Sequence, residues 1–123
     1  KNFCIVDAAM NDLPRPAMYQ AYHGIEPLQQ GGGAVTCYDV VGPVCETGDF
    51  LGKRRDLPPT RPGDLLAVLA AGAYGASMAS NYNSRRRPAE ALVDGAAARI
   101  VRTRETFDQL LQNEVPDAEP FVP

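Results

Sequence analysis

Hydrophobic positions in this chain come in short bursts separated by turn-forming residues. Eleven Pro and eleven Gly are spread over 123 residues, and such punctuation favours several short strands over long helices. The run Phe3-Cys4-Ile5-Val6, within 2–10, predicts a buried strand. Residues 16–22 suit one or two helical turns, with Pro16 at the first helical position. Gly31-Gly32-Gly33 reads as a flexible loop, and 34–44, rich in Val, Thr, Tyr and Cys, reads as a strand. Residues 58–64 form a turn segment leading into a short strand or helix over 65–69. The small apolar stretch 72–80 predicts another strand, and 81–88 a polar loop. Asp94-Gly95, between 89–93 and 97–102, is a two-residue hairpin signal. Phe107, Leu110, Leu111 and Glu114 recur at helical spacing, which predicts a helix over 103–113. Thr103 would cap it, with Thr106 where a capping box carries Glu; Pro116 ends it, and 117–123 is a tail. The pattern amounts to one mainly β domain over residues 1–123, barrel-like or sandwich-like, with a short central helix and a C-terminal helix.

Composition narrows the classes. Apolar residues make up 45% and charged ones 22%, which is ordinary for a globular domain. No run of eighteen apolar residues predicts a transmembrane helix. The start of the chain has no secretory hydrophobic region and no initiator methionine, and it reads as a piece of a longer protein. A net charge of −3 argues against a dedicated nucleic-acid binder, and no polybasic stretch suggests a membrane anchor. Cys4, Cys37 and Cys45, with a single histidine, lack metal-ligand spacing. Free thiols in a reducing cytoplasm are the simpler expectation, with no metal.

A few constellations carry candidate chemistry. Arg15 and Tyr19 are four apart and share one face of a helical turn. A guanidinium there can hold a carboxylate bidentately and the phenol can add a hydrogen bond; the plainer alternative is a solvated Arg and a half-buried Tyr. Cys45 and Glu46 sit between Gly42-Pro43 and Gly48, on an exposed bend. A neighbouring carboxylate disfavours a thiolate, which suits a proton donor better than a nucleophile, unless the cysteine is incidental. Tyr74 stands between Gly72 and Gly75, which let a backbone or a ligand approach closely; packing in a core is its alternative. The glycine run 31–33 has no phosphate-loop spacing after it. Arg85-Arg86-Arg87 is either a solvated loop or a phosphate-binding patch. His23 is a surface or hydrogen-bonded residue.

These pieces occur together and in a particular order. Val6-Asp7-Ala8-Ala9-Met10-Asn11-Asp12-Leu13 is followed by Arg15-Pro16-Ala17-Met18-Tyr19 and then Val41-Gly42-Pro43-Val44-Cys45-Glu46-Thr47-Gly48-Asp49. Gly63-Asp64, Gly72-Ala73-Tyr74-Gly75 and Asn81-Tyr82-Asn83-Ser84-Arg85 complete the series. From about Phe3 to the Leu110 region the chain strongly resembles the C-terminal region of the diaminopimelate decarboxylase family.

That resemblance implies a two-domain enzyme of the alanine racemase-like fold, in which a (β/α)8 barrel carries pyridoxal 5'-phosphate and a C-terminal β-domain completes the site. It implies decarboxylation of meso-diaminopimelate to L-lysine and CO2 by a cytoplasmic homodimer whose sites hold residues of both subunits. Residue by residue, Arg15 matches an arginine that binds substrate carboxylate, and Tyr19 a substrate contact one turn on. Cys45 matches the cysteine that reaches into the partner's site as proton donor. Glu46 matches a substrate-binding glutamate, and Tyr74 a tyrosine touching both cofactor and substrate. The cofactor lysine belongs to the barrel; Lys1 and Lys53 match no cofactor-lysine context. A related decarboxylase of ornithine, arginine or carboxynorspermidine is the near alternative. Glu46 after Cys45 favours diaminopimelate, since those relatives usually carry Asp there. A standalone β-domain for dimerisation, or for ligand binding without chemistry, is the alternative of another class.

Overall fold

The computed structural model describes residues 1–29 and 32–117. Gly31 of the expected glycine loop and residues 118–123 of the expected tail lie outside them. The chain divides into two compact units, Lys1–Arg85 and Arg86–Pro123, and each is described by itself.

The first unit contains β1 (Asn2–Ile5), α1 (Arg15–Tyr19), β2 (Ile25–Pro27), β3 (Thr36–Val41), β4 (Phe50–Leu57), β5 (Leu66–Val68) and α2 (Gly72–Met78). One sheet has the order β1-β3-β4, with β1 parallel and β4 antiparallel to β3. A second pairs β2 with β5, Ile25 opposite Val68. Their inner faces, with Leu13 of the turn before α1, meet in a cluster of Cys4, Leu13, Ile25, Val40, Leu51 and Leu57. Full burial of such a side chain is worth about 1.5–3 kcal/mol, so this cluster anchors the unit.

Sequence pattern and structure part at three places here. The run Phe3-Cys4-Ile5 is not buried as a block. Successive strand side chains face opposite ways, so Cys4 enters the core while Phe3 and Ile5 remain exposed. β4 has no counterpart in the expected elements, because Lys53-Arg54-Arg55-Asp56 masks it. Leu51 and Leu57 carry its burial, and Arg54 takes a left-handed turn (φ 52°) whose N–H donates to Asp39 Oδ1 at 2.8 Å. Residues 72–80, expected as a strand, form α2. The segment has no β-branched residue, and Ala and Met are among the better helix formers. Gly75 lies where a Cβ would be 3.5 Å from the Asp12 carbonyl oxygen, so small residues seat this helix against the 9–13 turn.

The second unit holds the hairpin of β6 (Glu90–Asp94) and β7 (Ala97–Arg102), followed by α3 (Phe107–Leu111). Asp94 pairs with Ala97, so the two loop residues are Gly95 and Ala96, one position on from the expected Asp94-Gly95. Gly95 supplies the left-handed φ of 58° that this tight turn needs. α3 is shorter than the expected 103–113. Thr106, not Thr103, caps it: its hydroxyl accepts the Gln109 N–H at 3.1 Å, and Gln109 Oε1 accepts the Thr106 N–H at 2.9 Å. Gln109 thereby plays the part of the absent capping-box Glu. The mainly β class with few short helices holds, while the strands of the described residues close no barrel.

Candidate functional site

The stretch between β1 and α1 is a set of tight turns. Ala9 is fully buried; its N–H donates to Asp12 Oδ2 at 2.9 Å and its carbonyl accepts the Asp12 and Leu13 N–H groups. Asn11, also buried, donates its Nδ2 to the Ser80 carbonyl at 3.3 Å and accepts the Ser80 N–H on its own carbonyl at 2.9 Å. Arg85 Nε donates to Asn11 Oδ1 at 3.0 Å, and its Nη2 reaches the Asp7 carbonyl. Asn83 and Ser84, both left-handed, make the turn that delivers this arginine.

On this base α1 starts at Arg15, with Pro16 buried in its first turn, and stops where Gln20 turns left-handed. Arg15 and Tyr19 thus share a helical face as expected. The guanidinium of Arg15 stacks on Tyr74, in the first turn of α2, 4.4 Å from its ring centroid. Tyr19 and Tyr74 are both more than half exposed, so Tyr74 is not the core residue of its alternative.

The loop from Gly42 to Asp49 is closed at its neck by Gly42 N–H donating to the Asp49 carbonyl at 3.2 Å. Within it the Asp49 N–H donates to the Glu46 carbonyl at 3.0 Å. The buried Asp49 carboxylate accepts two backbone N–H groups at 2.7 Å, Val44 inside the loop and Met10 on the 9–13 turn. Cys45, at the outer bend, is exposed. The Glu46 carboxylate accepts the Gly48 N–H at 3.0 Å and the Thr47 hydroxyl at 3.1 Å, and Tyr82 Oη lies 3.5 Å away. The Gly48 N–H, followed by the Thr47 hydroxyl, holds the Glu46 carboxyl below its ordinary 4.5. A Cβ on Gly48 would lie 3.9 Å from that of Ala17, so the Cys45 loop lies beside α1.

The other candidates are spent on structure. Arg85 is engaged as described. Arg86 stacks on Phe107 at 4.5 Å, and Arg87 pairs with Glu105 at 3.1 Å. Hence the arginine run is neither merely solvated nor a free phosphate patch. His23 is buried and its Nδ1 lies 3.0 Å from the Leu69 carbonyl, to which it donates. Asp49, Tyr82 and Asn11 have no role in the sequence reading, and Arg85 enters it only within the arginine run. Their signal was that they fall inside the ordered motifs; their partners, up to 74 residues away, left no local trace.

Residues 1–72 match the family described as pyridoxal-dependent decarboxylase, C-terminal sheet domain. The chain belongs to that family. It is 58% identical over 115 residues to the diaminopimelate decarboxylase of Neisseria meningitidis serogroup B, an alignment covering 94% of this chain and 28% of that protein. A crystal structure of an Aquifex aeolicus protein superposes with a TM-score of 0.87 at 48% identity, covering 89% of this chain and 27% of the other. The diaminopimelate decarboxylase of Helicobacter pylori, solved with L-lysine, gives 0.83 at 44%, covering 89% and 27%. The chain therefore spans little more than a quarter of these relatives' length.

The decarboxylases of this family depend on pyridoxal phosphate. Of the two lysines here, Lys1 Nζ is held by Asp39 at 2.7 Å and Lys53 Nζ lies over the Phe50 ring at 3.9 Å. Neither adjoins Arg15 or Tyr74 among the contacts of the described residues. Neither lysine of this chain therefore stands beside the candidate residues as a covalent anchor for that cofactor.

Proposed function

We propose that this chain is the C-terminal domain of a diaminopimelate decarboxylase, which converts meso-2,6-diaminopimelate to L-lysine and CO2 as a cytoplasmic homodimer. The observation that carries the reading is the placing of opposite charges on adjoining segments. The Arg15 guanidinium and the Glu46 carboxylate project from α1 and from the loop packed beside it, one suited to a carboxylate and the other to an ammonium.

Bound pyridoxal phosphate supplies the electron sink for breaking the bond to CO2. Around it the residues of this chain bind and orient the substrate and supply a proton. Arg15 binds a substrate carboxylate, with the Tyr74 ring against its guanidinium limiting the side chain's movement. Tyr19 adds a hydrogen bond from the next turn. Tyr74 also touches the cofactor with its phenol. Glu46, kept ionised by Gly48 and Thr47, holds the ammonium of the distal amino-acid centre. Cys45 donates a proton to the carbon that has lost its carboxylate, in the partner subunit's site, to which its exposed loop extends.

The test is substrate choice by the full-length enzyme. Release of CO2 and lysine from meso-diaminopimelate, with ornithine and arginine turned over at least a hundredfold more slowly, is expected. Preference for either basic amino acid overturns the assignment of Glu46.

A further inference from the structure

We propose that Asp49 is the positioning residue that fixes the Cys45 loop against the segment carrying Arg15. The inference rests on the decarboxylase reading but concerns a residue to which that reading gives no role. Asp49 uses all of its polar atoms on this one junction. Its carbonyl and N–H close the loop on Gly42 and Glu46, at 3.2 and 3.0 Å. Its Oδ2 accepts the N–H of Val44, the residue before Cys45, at 2.7 Å, and its Oδ1 accepts the N–H of Met10 at 2.7 Å. One buried carboxylate therefore bridges two backbone segments 34 residues apart in sequence (44 − 10).

The chemistry of the side chain matters as well as its shape. Both partners are donors, so the bridge requires two acceptors on one rigid plane, which a carboxylate has and a carboxamide lacks. The surroundings leave no slack. A Cβ on Gly42 would sit 2.5 Å from Asp49 Oδ2 and 2.7 Å from the Ala8 carbonyl oxygen, so the carboxylate is pressed between the loop neck and the 8–10 backbone. The 9–13 turn is itself fixed by Asn11, Ser80 and Arg85. Asp49 thereby transmits that rigidity to Val44 and on to Cys45. A proton donor must be held to within a fraction of an ångström of its productive position, and the buried Val44 that precedes the exposed Cys45 is tied down by this carboxylate.

Asp49→Asn in the full-length holoenzyme tests this, read in two backgrounds. With Cys45 present, the substitution is expected to lower kcat on meso-diaminopimelate at least tenfold while KM changes less than threefold. With Cys45→Ala already in place, it is expected to lower kcat by less than twofold more, because the group it positions is gone. A residue that only stabilises the fold would cost the same factor in both backgrounds, and that result overturns the proposal. A second readout is independent of turnover: alkylation by iodoacetamide, followed at Cys45 by peptide mass spectrometry with Cys37 as internal reference. Asp49→Asn should change the Cys45 rate at least threefold relative to Cys37, and an unchanged ratio also overturns the proposal. If Asp49→Asn does not accumulate as folded protein, Asp49→Glu, which keeps two acceptors on a longer stem, is read the same way. A wild-type enzyme inactive on meso-diaminopimelate would sink the substrate reading, and the alkylation arm alone would then decide the role of Asp49.

Discussion

The Arg15 guanidinium carbon lies over the Tyr74 ring, 4.4 Å from its centroid, and joins α1 to α2 across 59 residues of sequence (74 − 15). A cation held this way has lost much of its rotamer freedom before a ligand arrives, which lowers the cost of binding.

Arg15→Ala in the full-length enzyme is expected to raise KM for diaminopimelate strongly. Removing one partner of a charged, hydrogen-bonded contact costs about 2–5 kcal/mol. Tyr74→Leu should weaken binding less through this pair, since a cation–π contact is worth about 0.5–2 kcal/mol. Tyr74→Phe, which keeps the ring, isolates the part played by the phenol. Steady-state KM for the three variants is the measurement, and a near-normal value for Arg15→Ala would leave this arginine a structural role only.

Gly42 and Gly72 make a paired test of packing. A Cβ on Gly42 meets Asp49 and the Ala8 carbonyl, whereas around Gly72 there is nothing within 4 Å. Gly42→Ala should therefore cost about 1–3 kcal/mol, as overpacking does. Gly72→Ala, at the start of α2, should be neutral or stabilising by up to about 1 kcal/mol. Urea midpoints of the two variants against wild type decide it, and equal shifts would contradict the close approach at Gly42.

How far the sequence reveals this molecule depends on whether the controlling interactions are local. The β6–β7 hairpin was legible because its turn and its strands are neighbours, and α1 because Pro16 marks a helix start. α2 was misread because a run of small residues has no strong period, and its seat against Asp12 is a tertiary fact. β4 was lost because four charged residues in a row resemble a loop until Asp39 is seen to accept the Arg54 N–H. At the site, Arg15 with Tyr19 and Cys45 with Glu46 are local pairs and stood out. The Arg15–Tyr74 stack and the Asp49 bridge link distant segments, so only folding brings them together.

Asp39 predicts a pH dependence of stability. The Lys1 ammonium, and after it the Arg54 N–H, hold its carboxyl below the ordinary 3.8. A depressed folded value means that the stabilisation is present above the unfolded value and is lost as pH falls through the folded one. Lys1 is 64% exposed, so the ion pair contributes about 1 kcal/mol or less. Asp39→Asn should accordingly lower the urea midpoint slightly near neutral pH, with the difference from wild type shrinking below the ordinary carboxylate range. A difference that grows on acidification would reverse the sign of the argument.

The three cysteines differ in environment, and that separates catalysis from packing. Cys4 is buried in the core cluster, Cys37 is exposed on β3, and Cys45 is exposed on the bend that Asp49 closes. Cys4→Ala removes buried volume, so its effect should be on stability, about 1 kcal/mol or more, with kcat of the folded enzyme preserved. Cys37→Ala should change neither. Cys45→Ala should lower kcat at least a hundredfold while leaving KM within a few-fold, because a proton donor acts in the transition state and contributes little to ground-state binding. Cys45→Ser, which restores a weaker acid at the same position, should recover part of the loss. The decisive comparison is turnover of these variants in the full-length enzyme under one set of conditions. Wild-type turnover in Cys45→Ala, with loss in Cys4→Ala or Cys37→Ala, would return Cys45 to the role of an incidental loop residue and leave the proton to come from elsewhere.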